Sequence, residues 1–110
     1  MENTVLEKFH QGRQSLGTFS AIGSPLAVES LRYTGLDYVI VDTEHSPAGI
    51  ESAAAQIAAA QGAGLTALAR ANEISRTAVL RLLDVGAQGV VVPCVETVEE
   101  VRELVRYAKF

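Results

Sequence analysis

A parallel α/β fold is predicted by three features of the sequence. Short β-type runs alternate with helical patterns down the chain. The second and fourth of those runs are apolar at almost every position, the mark of strands covered on both faces. Polar residues collect where the runs end, and in parallel α/β architectures the loops beyond the strand C-termini carry the chemistry.

The elements follow in order. An amphipathic opening helix places Val5, Leu6 and Phe9 on one side, and "LGTFSAI" reads as the first strand. Ser24 then caps a helix with Pro25 at its first position, carrying Leu26, Ala27, Ser30, Leu31 and Thr34 at helical spacing up to a stop at Gly35. "DYVIVDTEH" is the second strand, followed by a helix from about Ile50 to Gln61 that ends at "GAG". "LTALARA" is the third strand, and its helix opens at Ser75, turns Val79, Leu82 and Leu83 inward and closes at Gly86. "GVVVPCV" is the fourth strand. Thr97 and Glu100 then form a capping box for a last helix whose Val98, Val101, Leu104 and Val105 face inward. Four βα units in one domain, residues 1–110, account for the chain.

Composition narrows the function. Thirteen acids against nine bases give a net charge of −4, which offers no broad attraction to nucleic acid or anionic lipid. Cys94 is the only cysteine, so no intrachain disulfide can form. The start "MENTVLEKFHQGR" has no apolar signal region, and no stretch matches a membrane span, so the expected setting is cytoplasmic. The apolar fraction of 48% is high for so short a chain and implies hydrophobic faces that expect further neighbours. No Gly-rich phosphate loop, zinc spacing or serine-nucleophile elbow occurs.

The strand ends hold Gly23-Ser24, then Asp42-Thr43-Glu44-His45, then Arg70 with Asn72, then Pro93-Cys94. His45 can move a proton near neutral pH when a partner fixes its tautomer, and Asp42 and Asp84 are both candidates for that partner. Arg70 offers a permanently charged fork for a carboxylate or a developing enolate oxygen. Each has a plainer reading: His45 as a surface residue, Asp42 as a cap for the turn, Arg70 as a strand-end ion pair and Asp84 as a helix-terminal acid. Glu44 reads as solvated, and Cys94 as a packed residue of an apolar strand.

The blocks "GTFSAIGSPLAVESLRYTGLDYVIVDTEHSP", "ARANE" and "LLDVGAQGVVVPCVETVEEVRELVRYAKF" resemble the HpcH/HpaI aldolase family of metal-dependent pyruvate aldolases, from about Phe9 to Phe110. The resemblance implies the N-terminal half of a (β/α)8 barrel, four units of the eight in a fold of ~200 residues or more. It implies a carbon–carbon lyase that cleaves a 4-hydroxy-2-oxoacid to pyruvate and an aldehyde. The family's base falls on His45, its transition-state-stabilising arginine on Arg70, and the acid that raises the histidine's basicity on Asp84, with Asp42 in support. A divalent metal such as Mg²⁺ or Mn²⁺ is implied for the complete enzyme, on Glu and Asp ligands beyond Phe110. Homo-oligomerisation, or pairing with the other half barrel, is implied as well. The alternative expectation is a non-catalytic half-barrel assembly module or an inactive remnant.

Overall fold

The computed structural model describes residues 2–44 and 49–109. Four parallel strands, β1 (Gly17–Ser20), β2 (Tyr38–Asp42), β3 (Thr66–Arg70) and β4 (Gly89–Val91), lie in sequence order in one sheet. α1 (Thr4–His10) precedes them, and α2 (Pro25–Ser30), α3 (Ile50–Gly62), α4 (Arg76–Asp84) and α5 (Val98–Ala108) follow them in turn. This is the expected run of four βα units behind a short helix, the architecture of half a (β/α)8 barrel.

Local chemistry sets the helix starts as the sequence predicts. Ser24, Ser75 and Thr97 each accept a backbone N–H of the first turn, Pro25 occupies the first position of α2, and the Thr97–Glu100 box is reciprocal. At the end of α4, Gly86 takes φ +105°, a conformation closed to most side chains. Gly17 on β1 answers a different demand: a Cβ there would lie 2.3 Å from the Tyr38 ring on β2.

Burial along the strands reveals which face is covered. Val39 and Val41 on β2, and Ala67 and Ala69 on β3, are sealed under the helices, together with Ala53, Ile57 and Ala60 of α3, Val28 of α2 and Leu82 of α4. The alternate residues Phe19, Ile40, Leu68 and Val91 point to the other face and are half-buried or exposed. The apolar runs are thus suited to two covered faces, and the chain itself covers one. Among the described residues β1 and β4 are edges, each paired on one side.

Several expectations shift for that reason. β4 ends at Val91, because the hydrogen bonds that define it come from β3 alone, and Pro93 lacks an N–H to extend them. Cys94, expected to pack, is exposed in a turn at φ +61°. In α5, Val98 is exposed, and Val101 and Val105 turn toward α4 and β4 as expected but stay about half exposed, because they border a groove the described residues do not fill. Between α4, β4 and α5 runs an apolar groove of about 470 Å³ lined by Leu83, Val90, Val92 and Leu104 among others. On α2 the buried residue is Val28, and Leu26 is exposed.

Polar groups inside this layer are paired. Gln56 of α3, 1% exposed, accepts the Ser20 hydroxyl at 2.7 Å and donates to Ser52 at 3.2 Å. At the end of the sheet where the strands begin, α1 lies across β2, β3 and β4. The Thr4 N–H donates to Thr66 Oγ1, and Gln88 accepts from the Ala67 N–H while donating to the Glu2 carbonyl. Lys8 pairs with Asp37 at 2.8 Å, and the Leu16 N–H donates to the same carboxylate.

The Lys8 and Leu16 hydrogen bonds hold the Asp37 carboxyl below the usual carboxylate range. A group depressed in the folded state contributes stability above its unfolded pKa, about 4, and loses it as pH falls through the lower folded value. Asp37→Asn should therefore cost roughly 1 kcal/mol at pH 7, a partly exposed pair being screened by solvent. The deficit should shrink below pH 4, as read from urea midpoints at the two pH values.

Candidate functional site

β2 and β3 end level with one another, with Asp42 opposite Arg70 in the register. Residues opposite each other in a sheet project to the same face, so the two side chains meet on the open side. Arg70 Nε donates to Asp42 Oδ1 at 3.1 Å and Nη2 to Oδ2 at 2.6 Å, a two-pronged pair with Asp42 only 3% exposed. Asp42 Oδ1 also accepts the Glu44 N–H at 2.8 Å, which turns the chain out of β2. Thr43 donates its N–H and its hydroxyl to the Arg70 carbonyl and ties the two strand ends together.

Two further groups reach the guanidinium. Glu44 Oε1 lies 3.5 Å from Arg70 Nε, and the Phe19 ring of β1 lies under the guanidinium, 4.7 Å from Cζ to the ring centroid. The Asp42 hydrogen bond raises the Arg70 pKa above its ordinary value, desolvation offsets part of that rise, and the charges of Asp42 and then Glu44 add lesser increments. Arg70 is therefore a fixed, permanent cation held in a definite plane. Sequence reasoning passed over Phe19 and set Glu44 aside as solvated, whereas Glu44 is partly buried beside the guanidinium. The parity of β1 was a usable signal for Phe19: a residue two positions beyond Gly17 shares its face.

Of the four residues singled out in the sequence, Asp42 and Arg70 are in contact. His45 lies outside the described residues. Asp84 is not brought to this rim. It is the exposed last residue of α4, which runs back along the sheet toward the start of β4. The turn that follows it sits beside the beginning of β3, where the Gln88 N–H donates to the Ala67 carbonyl. Within one chain Asp84 and Arg70 stand at opposite ends of the strands, so the described residues of one chain do not bring Asp84 to the side chain it was expected to serve beside. Its position just before a strand was the clue, since only residues just after a strand reach the upper rim.

The fit of a divalent ion can be judged from the donors present. Among the described residues no three His, Cys, Asp or Glu side chains come together as ligands. Asp42 and Glu44 are already turned onto a guanidinium, which opposes a second cation at the same oxygens. These residues do not fit a metal-ligand set. A second hollow of about 230 Å³, lined by Thr43, Gly49, Asn72 and Arg81 among others, opens between the loops after β2 and β3.

Comparison with known proteins agrees with this architecture. The family model "HpcH/HpaI aldolase/citrate lyase" matches residues 15–110. The hydroxypyruvate/pyruvate aldolase of Roseovarius nubinhibens is 32% identical over 108 residues, which cover 98% of this chain and 42% of that protein. A crystal structure of an HpcH/HpaI aldolase/citrate lyase family protein from Burkholderia cenocepacia superposes with a TM-score of 0.90 at 29% identity, over 99% of this chain and 44% of that one. The citrate synthase SbnG superposes at 0.87 with 30% identity, over 94% of this chain and 42% of its own. The chain thus spans about two fifths of the length of the relatives it matches, and in sequence and in fold it belongs to the HpcH/HpaI aldolase/citrate lyase family.

Proposed function

We propose that this chain supplies one wall of a pyruvate-aldolase site, which in a complete barrel cleaves a 4-hydroxy-2-oxoacid to pyruvate and an aldehyde. The observation that carries the reading is the Arg70 guanidinium, locked by Asp42 at the C-terminal ends of two adjacent parallel strands. In this reading His45, three residues after Asp42, is the base. It takes the proton of the C4 hydroxyl, the C3–C4 bond breaks to release the aldehyde, and the electron pair passes to the C2 carbonyl oxygen as an enolate. Arg70 stabilises that oxygen, and reprotonation at C3 gives pyruvate. Asp42 is the acid beside the arginine, and its part is to hold Arg70.

The formal charges of Asp42, Glu44 and Arg70 sum to −1, so an anionic oxoacid needs further positive charge near this rim. The divalent ion implied by the resemblance would meet that need on donors other than these. A cytoplasmic setting belongs to the same proposal, in keeping with a lone cysteine. Among the described residues no helix is long and apolar enough to cross a membrane.

The test is a chimera in which this chain replaces the matching segment of the Roseovarius nubinhibens aldolase. The folded chimera should release pyruvate from 4-hydroxy-2-oxoacids, and Arg70→Ala should lower turnover by about 10²–10³-fold. A folded chimera that releases none, or whose rate ignores Arg70, would refute the reading. The uncovered apolar face favours a second reading, an assembly module that pairs with itself or another half barrel. A stable dimer by light scattering, without pyruvate release, would select it.

A further inference from the structure

We infer that Phe19 is a positioning residue for Arg70, an aromatic floor that sets the plane of the guanidinium. Phe19 lies in the block "GTFSAIGSP", to which the resemblance attached no role. The inference adds to the reading of Arg70 as the group that meets the substrate oxygen, and rests on that reading for its catalytic meaning.

Asp42 and Phe19 restrain the guanidinium in different ways, with Glu44 Oε1 a looser neighbour 3.5 Å from Nε. Asp42 binds the Nε and Nη2 edge of the guanidinium through both of its oxygens. An in-plane pair of this kind fixes one edge, yet it leaves the group able to hinge about that edge, because a carboxylate tolerates donors well above and below its own plane. A ring face at 4.7 Å resists the hinge. The cation is drawn to the negative face of the ring, and flat stacking is the arrangement that gains most.

The strands deliver the ring to this place. Phe19 pairs with Ile40 on β2, and Ile40 pairs with Leu68 on β3, so Phe19 lies one layer below Arg70 on the same open face. Arg70 reaches back across Asp42 to find it. Phe19 remains 50% exposed, on the sheet face that the chain leaves uncovered. The close neighbour Gly17 carries no side chain, and the Tyr38 ring fills the layer beneath.

The measurement uses the ligand-free 110-residue chain labelled with ¹⁵N, so its outcome is independent of the chimera assay. The Arg70 Nε–H resonance should show cross-relaxation to the Phe19 ring protons and an upfield ring-current displacement. In Phe19→Leu that displacement should vanish, and solvent exchange of the Nε–H should quicken by roughly two- to fivefold, the loss expected of a partly exposed cation–π contact. Phe19→Tyr should restore both. An unchanged Nε–H position and exchange rate in Phe19→Leu, with the remaining amide signals intact, would overturn the inference. So would the absence of ring cross-relaxation in the unsubstituted chain, a readout that requires no variant to fold.

Discussion

Asp42→Ala should lower the stability of the chain by about 2–3 kcal/mol, measured as a fall in the urea midpoint at pH 7. The carboxylate is 3% exposed and accepts three hydrogen bonds from described residues, two from the Arg70 guanidinium and one from the Glu44 N–H. Alanine removes all three of these hydrogen bonds and a partly buried ion pair at once. Arg70, with 21% of its side chain exposed, can recover part of its hydration, which keeps the loss below the simple sum. Asp42→Asn, which keeps the shape and an acceptor, should lose less. Arg70→Met should also destabilise, because Asp42 then keeps its burial without this cation, and the double variant Asp42→Leu with Arg70→Met should regain much of the loss. An Asp42→Ala midpoint matching that of the unsubstituted chain would mean the pair does not form in solution.

Ile57→Ala should cost still more, about 3–4 kcal/mol. Ile57 is the largest fully buried side chain, at 1% exposure, in a core otherwise rich in alanine and valine. Alanines have no flexible ends to move into a void, so the cavity persists and the penalty falls in the upper part of the usual range for such truncations. Against the 5–15 kcal/mol that separates most folded domains from unfolded chains, that is a large share. Ile57→Val, which removes one carbon, should cost about 1 kcal/mol. Equal urea midpoints for the alanine and valine variants would show that the layer can collapse around the gap.

The parts of this fold that are legible in sequence are those decided within a few residues. Ser24-Pro25, Ser75 and the Thr97–Glu100 box announce helix starts because a cap is a contact between near neighbours. The meeting of Asp42 and Arg70 was also within reach, since parallel strands of similar length finish side by side. What escaped depends on partners distant in the chain. Val28 rather than Leu26 turns inward because α2 lies on α3, and a pattern of apolar spacing admits either register. Cys94 and the half-exposed valines of α5 read as core because their composition suits a core that this chain only half encloses. Asp84 owes its expected role to residue type and the resemblance, and its order just before β4 sets it at the other end of the strands from Arg70 within one chain.

The Gln88 side chain joins pieces that are made at very different times. Its amide donates to the carbonyl of Glu2, 86 positions earlier, while its oxygen takes the N–H of Ala67. During synthesis α1 can meet Asp37 and Thr66 first, but the tie at Glu2 must wait until residue 88 has left the ribosome. Contacts this remote in sequence delay folding, and the opening helix should be among the last elements to gain protection in pulse-labelled hydrogen exchange.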